Sequence, residues 1–104
     1  MKTGQGQSKK CDAVLKIISD YWALQVISAI GKSKRRFCEL ERLLPDSNPV
    51  TLTDRLKKLE SIGFIERTKP LDDKVSVIYA LTAQGRAFLP VSQKIESFAA
   101  RCVV

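Results

Sequence analysis

The sequence contains no histidine. That removes the commonest general base and most nucleophile–base pairs. Its three cysteines, Cys11, Cys38 and Cys102, form an odd set without C-x-x-C spacing. With no imidazole to join them, a zinc site is not expected. No glycine-rich phosphate loop is present either. An enzyme is hard to assemble from this inventory, and no catalytic residue, metal or cofactor is expected. No stretch approaches the roughly 20 apolar residues that a membrane span requires, so no membrane partner is expected. Met1–Lys10 (MKTGQGQSKK) is polar and lacks the apolar centre of a secretory signal. It reads as a disordered tail ahead of one domain over residues 11–101, and the expected location is the cytoplasm.

The 104 residues that are present suffice for a single domain with a modest core. Hydrophobic residues make up 44% and charged residues 28%, a globular balance. The net charge is +7, which favours a polyanionic partner for so short a chain. Basic residues gather at Lys9–Lys10, Lys32–Arg36, Arg55–Lys58 and Arg67–Lys74, whereas acidic residues are scattered. Clustering of this kind points to nucleic acid.

Pro49–Gly63 (PVTLTDRLKKLESIG) is the stretch around which the rest is organised. Ser47 or Asn48 can cap a helix there, Pro49 suits its first turn, and Gly63 suits its left-handed end. Leu52, Leu56, Leu59 and Ile62 recur at three- and four-residue spacing, so one stripe faces a core. Thr51, Thr53, Asp54 and Arg55 fall near the start of this helix and are the candidates for contact with base edges. Arg55 suits guanine, and Asp54 is expected to orient Arg55 or to accept from cytosine. Lys57 and Lys58, with Lys34, Arg35 and Arg36 upstream, are the phosphate candidates. The plain alternative for Lys32–Arg36 is a solvated turn.

Upstream, Cys11–Ile18 reads as a short amphipathic helix, interrupted at Ser19–Asp20. Tyr21–Ile30 reads as a buried helix closed by Gly31, with Trp22 a core anchor. Phe37–Leu44 is a short helix stopped by Pro45, with Phe37, Leu40, Leu43 and Leu44 on one side. Cys38 takes the place of a Ser or Thr cap. Two helices joined by a tight turn make a helix-turn-helix over 37–62.

After Gly63 the period changes to alternation. Phe64–Lys69 and Val75–Leu81 read as two strands joined by Pro70–Lys74, a hairpin wing over 64–81. Arg67, Lys69 and Lys74 are its candidate DNA contacts. Thr82 can cap a terminal helix over 82–101. Phe88, Val91, Ile95, Phe98 and Cys102 continue one apolar stripe along it. A domain this small cannot bury all of that stripe, so it marks an interface, with dimerisation favoured over docking within the chain. The fold class is therefore mainly α with a small β-hairpin: a winged helix-turn-helix dimerising through its terminal helices.

The ordered set Cys11, Trp22, Arg36-Phe37-Cys38-Glu39-Leu40, Leu52-Thr53-Asp54-Arg55-Leu56-Lys57-Lys58-Leu59-Glu60, Gly63-Phe64-Ile65, Tyr79-Ala80-Leu81-Thr82, Gly85 and Leu89-Pro90-Val91 resembles the HxlR-type winged helix-turn-helix regulators, relatives of the MarR group. The resemblance runs from Cys11 to about Ala99. It implies a homodimer that binds double-stranded DNA at a pseudo-palindromic operator, with the 49–62 helix in the major groove and the wing alongside. It also makes Cys11 the candidate sensor of oxidants or electrophiles. The chain departs from the family pattern at Asp12, where proline is common, at Asp20-Tyr21, where Gly-Lys is common, and at Ile78, where Glu is frequent. The competing class is a winged-helix protein-interaction module with no specific DNA site.

Overall fold

The computed structural model describes residues 9–70 and 77–103. Helix α1 (Lys9–Ile18) begins two residues earlier than its apolar pattern, so Lys9 and Lys10 belong to it rather than to the polar tail. Lysine is a good helix former, and a first turn in solvent needs no apolar contact. The remainder of the tail lies outside the described residues. Val14, Ile17 and Ile18 pack against the core while Leu15 is exposed.

Asp20 does more than interrupt. Its carboxylate accepts a 3.0 Å hydrogen bond from the Ala23 N–H and so caps α2 (Tyr21–Ile30). Ala23, Val26, Ile27 and Ile30 of α2 are fully buried at the centre of the molecule. Trp22 is half-buried against this core, edge-on to Tyr21 at 4.9 Å.

The run Lys32–Arg36 contains an element that the sequence reading lacks. Arg35–Arg36 is a two-residue strand, β1, paired antiparallel with β3 (Ile78–Leu81) through Arg35↔Tyr79 and Arg36↔Ile78. Two residues are too few to show alternation, and only the partner strand reveals the pairing. Helix α3 (Phe37–Leu43) starts immediately after it, with the Arg36 N–H donating to the Glu39 carboxylate at 2.7 Å. Cys38 is thus not the cap of this helix but an exposed residue inside it. Leu40 and Leu44 are buried, whereas Leu43 turns outward and is exposed, contrary to the one-sided reading.

Helix α4 (Pro49–Ser61) has Asn48 as its cap, the Asn48 Oδ1 accepting from the Thr51 N–H at 2.8 Å. It ends as the glycine foretells. Gly63 takes φ +78°, its N–H donates to the Glu60 carbonyl, and the Phe64 N–H donates to the Leu59 carbonyl, both at 3.0 Å. This motif turns the chain sharply into β2 (Ile65–Thr68).

β2 pairs antiparallel with β3 in the register Ile65↔Leu81, Arg67↔Tyr79 and Thr68↔Ile78, giving a sheet of order β1-β3-β2. β2 is shorter than its alternating pattern by one residue at each end, and among the described residues β3 begins at Ile78. Residues 71–76, including Lys74 and most of the expected turn, lie outside the described residues.

Thr82 caps α5 (Ala83–Arg101), its hydroxyl accepting from the Gly85 N–H at 3.1 Å and donating to the Gly63 carbonyl. Gly85 is where α5 crosses the sheet. A Cβ there would sit 2.1 Å from the Phe64 carbonyl oxygen. Ile27, Leu40, Leu52, Leu59 and Ile65 meet in one core drawn from α2, α3, α4 and β2, and the whole is a winged helix-turn-helix.

Candidate nucleic-acid interface

Helix α4 turns about 100° per residue, which sorts its side chains into three faces. Leu52, Leu56 and Leu59 point into the core. Val50, Thr53, Asp54 and Lys57 recur on the opposite side and, with Pro49, line an open groove on the outer face of the helix. Val50 is 79% exposed there. Thr51, Arg55 and Lys58 lie on the flank between these faces. On that flank Arg55 and Lys58 share a second hollow with Lys16, Ile17 and Asp20.

Arg55 is held on this flank. Its Nε lies 2.6 Å from Asp20 Oδ2 and its Nη2 3.2 Å from Asp20 Oδ1, while Nη1 donates to Asp54 Oδ2 at 2.7 Å. Lys58 Nζ reaches the same Asp54 oxygen at 3.1 Å, completing a chain of alternating charge from the α1–α2 corner onto α4. The hydrogen bond from Arg55 holds the Asp20 carboxyl below its usual range, with the Ala23 N–H assisting against the cost of burial. Asp54 is likewise held down, chiefly by Lys58 and then by Arg55. The Arg55 guanidinium is correspondingly held in its charged form by Asp20.

In this arrangement the expected guanine reader is engaged by carboxylates of its own chain. All three guanidinium nitrogens of Arg55 are committed to carboxylates, and a partner 35 positions away in sequence gave no signal from spacing. The expected orienting role of Asp54 toward Arg55 does match the contact found. Thr51 is half-buried beside Arg55, while Thr53 and Lys57 remain exposed on the outer stripe.

Exposed basic side chains are spread over several elements. Lys34, Arg36, Lys57, Lys58, Arg67 and Lys69 are exposed. Arg35 is partly withdrawn, its Nε donating to the Ala29 carbonyl at 3.1 Å and so tying β1 to the end of α2. Arg67 stands 4.0 Å from Glu60, a weak pairing in solvent. Between α4 and the sheet runs a cleft of Thr53, Leu56, Lys57, Glu60, Arg67 and Tyr79. Burial pushes the Tyr79 phenol up, opposed by the charge of Arg67, so it is a neutral hydrogen-bonding group. Tyr79 and Val50 are the two residues of this surface that sequence reasoning missed. Tyr79 falls within an expected strand and Val50 within an expected helix, and neither carried a site role there.

The remaining candidates are spread out. Cys11 is half-buried in the first turns of α1, and Cys38 and Cys102 are exposed, with Cys38 Sγ 3.9 Å from Arg42 Nη2. On α5 the apolar stripe divides. Phe88 packs inward with its ring 5.5 Å from Phe64, and Leu89 is buried. Beyond them Val91, Ile95 and Phe98 are 48%, 46% and 60% exposed. Phe88 is therefore first a core residue, and the open stripe begins at Val91. Among the described residues no single helix is long and apolar enough to cross a membrane.

With this geometry in view, the chain was compared with known proteins. The HxlR-like helix-turn-helix family matches over residues 17–103. The HTH-type transcriptional regulator YvaP of Bacillus subtilis is 30% identical over 96 residues, 89% of each chain. A putative transcriptional regulator of the MarR family from Porphyromonas gingivalis superimposes with a TM-score of 0.80 at 27% identity, covering 93% of this chain and 97% of that one. Diamide-treated YodB from Bacillus subtilis superimposes with a TM-score of 0.75 at 26% identity, covering 94% and 97%.

Proposed function

Because the chain belongs to the HxlR-like helix-turn-helix family, with transcriptional regulators as its relatives, we propose that it is a dimeric regulator binding specific sites on double-stranded DNA. The observation that carries this reading is the outer stripe of α4. It is an open, solvent-facing surface bearing Thr53 and Lys57, backed by a leucine core and flanked by exposed Lys58 and Arg67. A helix of this kind fits the major groove, with hydroxyl and ammonium groups at base edges and the flanking cations on phosphate. Arg55 serves there as a positioning residue that fixes α4 against the α1–α2 corner through Asp20. The β2–β3 wing lies alongside, with Arg67 and Lys69 toward the backbone.

Val91, Ile95 and Phe98 supply the face through which two copies pair, giving a pseudo-palindromic operator with half-sites about one helical turn apart. YodB has been solved after diamide treatment, and another relative is a redox regulator solved in its oxidised form. Cys11 is the residue through which such a signal would reach α1 in this chain.

The test is a titration of the full chain against its own upstream DNA and against bulk DNA, at two salt concentrations, reduced and then diamide-treated. Binding that survives competitor and weakens steeply with salt is expected. Only weak binding, erased by competitor, overturns the reading in favour of a protein-interaction module.

A further inference from the structure

The outer stripe of α4 carries an unusual group for a surface meant to meet a polyanion. Val50 is an aliphatic side chain in the first turn of the helix, 79% exposed, lining the open groove together with Pro49, Thr53, Asp54 and Lys57. Arg55, Asp54 and Lys58 close to it are already engaged in ion pairs. Arg55 is held by Asp20 and Asp54, and Asp54 is shared between Arg55 and Lys58. A bidentate arginine–guanine contact is therefore not available from Arg55 as the helix stands. What the stripe offers to a base edge is the isopropyl group of Val50, the methyl and hydroxyl of Thr53 and the ammonium of Lys57.

In the major groove only thymine presents an apolar group, its 5-methyl, and aliphatic side chains recognise it by contact. We propose that Val50 is a specificity-determining residue that reads a thymine methyl in each half-site, an inference that rests on the DNA-binding reading above. One valine beside one proline is far too small an apolar patch to anchor a protein partner. The cations near it, Lys57, Lys58 and, across the neighbouring cleft, Arg67, match phosphate beside a groove. Tethering Asp54 between two cations also keeps its charge from repelling the backbone as the helix enters. Recognition by α4 thus leans toward A·T pairs oriented with thymine facing Val50, with guanine contacts left to Lys57.

The experiment begins with selection of duplexes from a random pool by the full-length protein. Each thymine of the selected site is then replaced singly by deoxyuridine, which removes the methyl and leaves Watson–Crick pairing intact. At one position per half-site the loss of the methyl should weaken wild-type binding about fourfold, the worth of one buried methyl-sized contact. Val50→Ala should bind the thymine site about as weakly as wild type binds the uracil site, and should ignore the uracil exchange. Its melting temperature should match wild type, because the side chain is exposed. If uracil costs Val50→Ala as much as wild type at every position, the proposal fails while the DNA-binding reading stands. If the wild-type protein selects no sequence at all, the DNA-binding reading fails and takes this inference with it.

Discussion

In α4 the leucines at three- and four-residue spacing, Leu52, Leu56 and Leu59, are all buried. In α5 the equally regular Val91, Ile95 and Phe98 stand about half exposed or more. Both helices have a side-chain cap and an apolar stripe, so the pattern alone does not separate them. The difference lies in what surrounds each. α4 is clasped between α2, α1 and β2, whereas α5 meets α2 and β3 near its start and then runs on past them. A stripe shows that a helix wants a partner. Whether the partner belongs to the same chain depends on the length of the helix relative to the body it packs on.

The largest way to break this comparison is at Gly85, the point where α5 is allowed close to the sheet. Gly85→Ala would place a methyl 2.1 Å from the Phe64 carbonyl oxygen, which the Thr82 N–H already holds at 3.0 Å. A loss of about 3 kcal/mol or more is expected in urea unfolding, with α5 the first element to lose amide protection. On the α4 side, Leu59→Ala empties a fully buried site and should cost about 3 kcal/mol by the same measurement.

A smaller effect is expected at the ion pair. Arg55→Ala leaves Asp20 without its guanidinium and should cost about 1–2 kcal/mol at neutral pH, discounted for the partial exposure of both groups. The pH dependence follows from the lowered Asp20 value. The stabilisation is fully present above the ordinary carboxylate value of 3.8, is lost as pH falls through the depressed folded value, and is absent below it. Stability curves of wild type and Arg55→Ala should therefore converge in acid. The smallest effect on the folded monomer is expected from Phe98→Ser, within about 0.5 kcal/mol at an exposed position. Its readout is association: sedimentation should show the dimer weakened by Phe98→Ser and untouched by substitution of exposed Lys94. An equal dimer in the Phe98 variant would place the subunit contact elsewhere.

Much of the fold was legible because its signals are local. The cap at Asn48, the proline after it and the left-handed Gly63 bound α4 at its two ends, and each acts on backbone groups only a few residues away. The α2 stripe, the Thr82 cap and the wing strands are of the same kind. Less was legible at the candidate site. Lys57 and Thr53 stand open on α4 as the residue types suggested, but Arg55 is turned away by a carboxylate from another helix. β1 escaped notice because two arginines become a strand only when β3 is beside them. Phe88 and Phe98 belong to one sequence stripe, yet one packs on Phe64 and the other faces solvent.

By itself the sequence determined each helix to within a turn at its ends, the sign of the charge and the presence of an apolar stripe on α4 and α5, since these depend on hydrogen bonds and periodicities within a turn or two. Only the tertiary structure decided which cations are free and which apolar groups remain outside. Asp20 reaches Arg55, and Gly85 reaches Phe64, through contacts between elements whose separation along the chain carries no information about their distance in space. That is why an arginine suited to guanine is braced against Asp20, and an unremarked valine stands open on the outer side of the helix.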